Sequence, residues 1–298
     1  MVLGSKQLST MDQGIKPKLI NSQPKRLFTF GCSFTGYAWM TWAEIIAKDL
    51  KVPLYNYGES GAGNQYIFNM FIQANRYYKF DENDLVMICW TNVNREDRYL
   101  QGKWSTPGTI HINDLYDEKY ISKFVDPTGY LIRDMASIDA TVKILDSIGC
   151  QYHMMSMNRI AESYEQFCTG VYKEKDIVEK TQNFYKDTLD KILPSFYTVL
   201  WDDKIENKFA QEMKLLGKYF TDRHPTPIEY LEYLTKVFDY NFSTSTVEAV
   251  EKLYDKWYTI CYNLSRTKLF LVYRLEKSMF NDFVKACRLV ESEPKFTI

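Results

Sequence analysis

The ten residues Leu27-Phe28-Thr29-Phe30-Gly31-Cys32-Ser33-Phe34-Thr35-Gly36 decide the fold. The first four form a short apolar run that reads as a buried strand. It ends on a turn bracketed by Gly31 and Gly36, where the backbone can bend sharply. Such a turn presents Ser33 at the edge of a sheet and at the start of a helix, where backbone N–H groups favour negative charge. The same geometry underlies the nucleophile elbow, although the spacing is not G-x-S-x-G. Read alone, Ser33 is equally an N-cap for the helix that follows. Cys32 points away from it and reads as core.

Outward from this stretch, short apolar runs alternate with longer amphipathic ones, the signature of βα units and a parallel sheet. The pattern predicts strands at 27–30, 54–57, 85–90, 151–157 and 197–200. Helices are predicted between them at 39–49, 66–78, 138–147 and 177–193. A further helix, 227–237, opens with Pro227 in its first turn, where the missing N–H costs nothing. Five strands with right-handed crossovers make an α/β, flavodoxin-like three-layer α/β/α sandwich with a five-stranded parallel sheet. Residues 1–26 lack periodicity and read as an N-terminal arm, 27–240 as the α/β domain, and 241–298 as a C-terminal helical extension with helices at 247–264 and 269–289. Within the domain, residues 98–137 carry Tyr99, Trp104, Tyr116, Tyr120, Phe124 and Tyr130 with Gly/Pro punctuation, and read as an aromatic-rich insertion.

Ligands of open α/β sheets bind outside the carboxyl ends of the strands, so the polar loops at those ends are the candidate site. The second strand runs into Asn56-Tyr57-Gly58-Glu59-Ser60-Gly61-Ala62-Gly63-Asn64. Its glycines allow close backbone approach, but no lysine follows in phosphate-loop spacing; as a source of an oxyanion-binding N–H it is suitable. The third strand ends in Trp90-Thr91-Asn92-Val93-Asn94, which offers two side-chain amides. A last loop, Asp222-Arg223-His224-Pro225-Thr226-Pro227, holds one of only three histidines, stiffened by prolines and placed directly before a helix. His111, His153 and His224 show no HxH or HxxxH spacing, which argues against a metal site.

Composition bounds the alternatives. The 298 residues carry 37 basic and 38 acidic side chains, a net charge of −1 that exerts no global pull on nucleic acid or anionic lipid. Hydrophobic residues at 45% and charged residues at 25% exclude a wholly disordered chain. No run approaches the roughly 18 apolar residues that span a bilayer, and the first 26 residues lack a signal-peptide pattern. Six scattered cysteines with no CxxC pair imply reduced thiols and a cytoplasmic chain.

In their order, these pieces resemble the SGNH (GDSL-type) hydrolase family. Gly31-Cys32-Ser33 matches the strand followed by G-D-S, with cysteine in place of aspartate. Asn56 to Gly61 matches N-x-x-x-x-G, and Asp222 with His224 matches the acid–base loop before the last helix. The resemblance spans roughly residues 26–240 and extends, through G-C-S-F-T and D-x-H-P-T-P, to bacteriophage-encoded members of the group, for which host cytoplasm or virion would be the location. It implies that Ser33 is the nucleophile and one oxyanion donor, Gly61 a second donor, His224 the general base and Asp222 its orienting acid. The third donor is Asn92 or Asn94, because W-T-N-V-N replaces the family's G-x-N-D; Asn92 lies nearer the strand end. The family spaces acid and base as D-x-x-H, which would put Thr221 in the acid's place. In an extended loop, however, residues i and i+2 share a face, so Asp222 reaches the ring; otherwise a Ser33–His224 dyad or a carbonyl-oriented histidine remains.

The expected function is a serine esterase cleaving a short acyl ester, such as O-acetyl, through a Ser33 acyl-enzyme, with no cofactor or metal. Aromatic platforms bordering a site suit sugars, so the expected partner is a small-molecule or glycan ester rather than nucleic acid or membrane. The C-terminal helices would offer a homo-oligomer contact. The same changed blocks also fit a non-catalytic binding or structural protein that kept the sheet, and acyl transfer to a sugar would use the same acyl-enzyme.

Overall fold

The computed structural model describes residues 16–111, 115–160, 175–202, 207–217 and 222–265. Within them the chain runs β1 (Arg26–Gly31), α1 (Trp42–Leu50), β2 (Leu54–Gly58), α2 (Asn64–Tyr78), β3 (Asp84–Trp90), β4 (Arg98–Leu100) and β5 (Lys103–Ser105). It continues through α3 (Glu118–Phe124), α4 (Pro127–Ile148), β6 (Gln151–Ser156), α5 (Lys175–Phe184), α6 (Lys186–Leu189) and α7 (Phe196–Trp201). The last elements are α8 (Lys208–Leu215), α9 (Pro227–Val237) and α10 (Thr244–Ser265).

The main sheet is parallel, in the order β2-β1-β3-β6. The chain steps from β1 out to β2 and then crosses back to β3, so right-handed crossovers send α1 and α2 to opposite faces. The helix contacts agree: α2 packs on α4, whereas α9 packs on α1, α7 and α10. Every residue of β3 is buried, as a strand covered on both faces requires. Aromatic residues form two cross-strand pairs between β1 and β2. Phe28 stacks on its β2 partner Tyr55 at 4.6 Å between centroids, and Phe30 on Tyr57 at 5.0 Å.

The sheet has four strands among the described residues, not five. Residues 197–200 are helical, inside α7, whose N-terminus is capped by Ser195. The apolar residues Phe196, Tyr197, Leu200 and Trp201 are buried on one side of this short helix, and a run so short does not distinguish strand from helix by period. What remains beside β6 is a single parallel bridge between Met154 and Ile192, with Leu193 N–H donating to Met154 C=O at 2.8 Å. The predicted helix 177–193 is accordingly interrupted into α5 and α6 before that bridge.

Two boundaries also move. Residues 16–25, read from sequence as part of an arm, lie on the domain: Leu19 is fully buried, the backbone of Lys18 pairs with that of Asp239 in a parallel β-bridge, and the His153 ring meets Leu19 C=O at 2.9 Å. The expected insertion 98–137 is the β4–β5 hairpin, α3 and the first half of α4, a helix that starts at Pro127 under an Asp126 cap. In the C-terminal extension, α10 buries Trp257 against Phe209 and Trp39. The predicted helix 269–289 lies outside the described residues. Among the described residues, no helix is long and apolar enough to cross a membrane.

Candidate active site

The strand order reverses between β1 and β3, and in doubly wound sheets ligands bind outside the carboxyl ends of the strands at such a point. Ser33 follows β1 at this point. The N–H groups of Thr35 and Gly36 both donate to Cys32 C=O, at 2.8 and 3.1 Å, closing a tight turn around it. No helix follows directly, contrary to the sequence reading. Instead α1 begins at Trp42 behind a Thr41–Glu44 capping box, and the Thr41 hydroxyl donates to Thr35 C=O at 2.8 Å. The turn packs backbone to backbone on the end of β2. A Cβ on Gly58 would lie 2.3 Å from Gly36 N, so neither strand end has room for a side chain there. Cys32 is fully buried, as core.

Ser33 Oγ lies 2.7 Å from His224 Nε2, across 191 positions of sequence. The other ring nitrogen, Nδ1, lies 2.8 Å from Asp222 Oδ1. The same oxygen accepts the His224 backbone N–H at 2.8 Å, an Asx-type turn that sets the carboxylate and the imidazole on one side of the loop. Ser33, His224 and Asp222 thus form one hydrogen-bonded chain despite the two-residue spacing. Burial works against the Asp222 carboxylate, yet the His224 ring and N–H together with the Tyr37 hydroxyl outweigh it and hold the carboxyl below its ordinary range.

Neighbouring elements lock this loop. Asn207 caps α8 through its oxygen, which accepts Ala210 N–H at 2.8 Å, while its Nδ2 donates to the carbonyls of Asp222 (3.0 Å) and His224 (2.7 Å). Trp39 Nε1 donates to Pro225 C=O at 2.9 Å. Buried Glu229 closes a capping box on Thr226 at the head of α9 and also accepts Trp201 Nε1 at 2.9 Å. Tyr37 lies against the imidazole and donates to Asp222 Oδ2 at 2.5 Å. Sequence reasoning missed Tyr37, Trp39 and Asn207. Only their closeness in sequence to Ser33, for the first two, marks them.

The remaining candidates sit on the loops that flank Ser33. Gly61 has φ +78°, and a Cβ there would meet Thr106 C=O at 2.1 Å, so glycine is required on both counts. Residues 104–109 of the insertion therefore lie directly over the loop after β2, where the Thr106 hydroxyl also donates to Ser60 C=O at 2.9 Å. Asn92 is 1% exposed; its Oδ1 accepts Asn94 N–H at 2.8 Å, and its Nδ2 has no partner among the described residues. Asn94 is buried as well, with its backbone C=O accepting Ile110 N–H at 2.9 Å, which ties it to the insertion. A buried donor left without an acceptor is costly, and it distinguishes Asn92 from its neighbour. Asn64 holds this loop by pairing with both backbone groups of Thr91, at 2.8 and 3.0 Å, and donates to buried Asp134 at 2.8 Å. Arg95 Nη1 reaches Ala62 C=O at 2.8 Å and so ties the β2 and β3 loops together. No cluster of side chains suited to a metal ion occurs among the described residues.

No family model matches this chain, and no curated protein matches it. Among solved structures it is similar to a lipolytic protein of the G-D-S-L family from Veillonella parvula, at 15% identity, covering 71% of this chain and 94% of that one, with a TM-score of 0.37. It is similar also to a GDSL-like lipase from Bacteroides thetaiotaomicron, at 18% identity, covering 84% and 98%, with a TM-score of 0.35. A third is an acetylxylan esterase from Geobacillus stearothermophilus, at 11% identity, covering 74% and 98%, with a TM-score of 0.37. The structural neighbours of this chain are thus G-D-S-L lipolytic proteins and esterases, and its own architecture is a mixed α/β one with a parallel sheet between helices.

Proposed function

We propose that this protein is an ester hydrolase in which Ser33 attacks an acyl ester. The observation that carries the reading is the hydrogen-bonded chain Ser33 Oγ–His224 Nε2 and His224 Nδ1–Asp222 Oδ1, at 2.7 and 2.8 Å. In the proposed reaction His224 Nε2 takes the hydroxyl proton as Oγ bonds to the carbonyl carbon. Asp222 fixes the tautomer with the proton on Nδ1 and stabilises the imidazolium that forms. The imidazolium then gives its proton to the departing alcohol. Water repeats the sequence on the acyl-enzyme, releasing the acid and restoring Ser33.

Charge on the carbonyl oxygen needs donors that are already in place. The Ser33 and Gly61 N–H groups donate to no acceptor among the described residues, and the Nδ2 of Asn92 is likewise unpartnered. We assign these three to the oxyanion and leave Asn94 as a tie to the insertion. The proposed substrate is a short acyl ester, such as O-acetyl, on a carbohydrate. Supporting it, Trp104 of the hairpin packs edge-on against Tyr66 at 5.8 Å and against Tyr99 at 5.6 Å, beside the loop of Gly61.

The test is hydrolysis of p-nitrophenyl acetate and of acetylated oligosaccharides by wild type, S33A and H224A, with labelling by a fluorophosphonate probe. Wild type should turn over and label; both variants should keep the fold and lose both properties. Equal rates in wild type and S33A would sink the proposal.

A further inference from the structure

The loop between β1 and α1 carries a side chain that the three-residue chemistry does not use. Tyr37 follows Ser33 by four positions, and its ring lies parallel to the His224 imidazole, 3.7 Å between centroids at 22°. Phe34 approaches the same imidazole at 5.4 Å. The Tyr37 hydroxyl donates to Asp222 Oδ2 at 2.5 Å, while Oδ1 of that carboxylate already serves the ring and the backbone of His224. Trp39 meets the Tyr37 ring edge-on at 4.6 Å and is itself tied to Pro225.

We propose that Tyr37 is the positioning residue of the Asp222–His224 pair: its ring sets the plane of the imidazole, and its hydroxyl sets the rotation of the carboxylate. The physical need follows from the shortened spacing. The terminal torsions of histidine and aspartate are broad and roughly two-fold, and a flexible loop would let Nε2 turn away from Ser33. A ring stacked on the imidazole removes that freedom, and a donor on Oδ2 stops the carboxylate from rotating Oδ1 out of reach. When the imidazole carries the proton from Ser33, its positive charge lies over the negative face of the Tyr37 ring. Tyr37 itself exchanges no proton in the reaction.

The inference rests on the hydrolase reading, and the test separates the two. Wild type, Y37F and Y37L are compared in kcat and KM for p-nitrophenyl acetate, and the Asp222 carboxylate is followed by 13C NMR titration, which needs no activity. The groups that face this carboxylate are the His224 ring and N–H, the Tyr37 hydroxyl and the buried Tyr230 phenol, with Arg223 adjacent in sequence. Y37F keeps the ring and loses one bond to the charged form. Its kcat should fall about tenfold at constant KM, and Asp222 should titrate at higher pH than in wild type. Y37L should lose about 100-fold in kcat as the imidazole plane is freed, so that phenylalanine rescues part of the leucine defect. A wild type inactive on every ester, with the Asp222 titration still moved in Y37F, would support the positioning role and sink the hydrolase reading. An active wild type whose Y37F variant matches it in kcat and in Asp222 titration, or loses only in KM, would overturn the role of Tyr37 alone.

Discussion

Asp222 Oδ1 accepts two hydrogen bonds from the same residue, His224, one from its backbone N–H and one from Nδ1, each at 2.8 Å. The pairing explains how a carboxylate two positions before a histidine can reach its ring. An aspartate side chain naturally bonds the N–H two residues on, and here that local turn brings the carboxylate to the edge of the ring as well. The proline that follows and the Asn207 amide on both carbonyls keep the loop in this shape.

The first prediction concerns that carboxylate. In D222N the side-chain oxygen still accepts the His224 N–H, so the loop should keep its fold, but no charge remains to stabilise the imidazolium. Under the proposed mechanism kcat for p-nitrophenyl acetate should drop by about 10^4-fold. A loss below tenfold would show that His224 works without Asp222.

Asn92 and Asn94 are separated by their hydrogen bonding. Removing a single oxyanion donor costs about 10^2- to 10^3-fold in kcat, so N92A should show that loss with KM little changed. N92D keeps the oxygen that accepts Asn94 N–H and should fold, yet it places negative charge beside the developing oxyanion and should be at least as slow. N94A leaves in place both backbone bonds of residue 94, from its N–H to Asn92 and from Ile110 N–H to its C=O, so it should lower kcat far less than N92A. If steady-state kinetics reverse the two, the donor is Asn94.

Asn207 serves two structures with the two ends of one amide. N207D retains the oxygen that caps α8 but turns a buried carboxylate oxygen toward the Asp222 and His224 carbonyls, so both thermal stability and kcat should fall. N207A loses the cap, worth about 1 kcal/mol, together with the donor to both carbonyls, and its melting temperature and kcat should fall below those of wild type. Identical kinetics in wild type and N207D would mean that the loop holds itself.

Asp134 is fully buried, and burial lifts its carboxyl to about 6 despite Arg133 and Asn64. An acid whose pKa is higher in the folded than in the unfolded chain binds more protons when folded, so stability declines as pH rises from the ordinary 3.8 to about 6. The difference corresponds to about 3 kcal/mol. Urea unfolding of wild type and D134N at pH 4 and pH 7 measures it: wild type should lose ground relative to D134N across that interval, and parallel curves would refute the assignment.

Much of this protein is legible locally. The run ending at Gly31, the polar ends of the second and third strands, and Pro227 opening α9 under a threonine cap all follow from period, turn chemistry and capping over a few residues. Strands 26–31, 54–58, 84–90 and 151–156 fall within a residue or two of their expected places. The error at 197–200 has the same origin, because four apolar residues carry no period. Ser195 as an N-cap and the stacking of Phe196 on Tyr233 at 3.8 Å decide for helix. The start of the long α4 differs for a similar reason: aromatic residues with Gly/Pro punctuation place residues up to 137 in the insertion, whereas the Asp126 cap starts the helix at Pro127.

The sequence by itself determined a parallel α/β sheet and singled out Ser33, Asp222 and His224, because the chemistry of each is carried by residues near it in the chain. That Ser33 and His224 meet across 191 positions, that the Asp222 carboxylate reaches the ring from two positions away, and that Tyr37 covers the imidazole come from the packing of the whole chain. Periodicity and turn preference act over a few residues, whereas the facing of two strand-end loops depends on the handedness of every crossover and the packing of every helix between them. That information is spread over the whole chain.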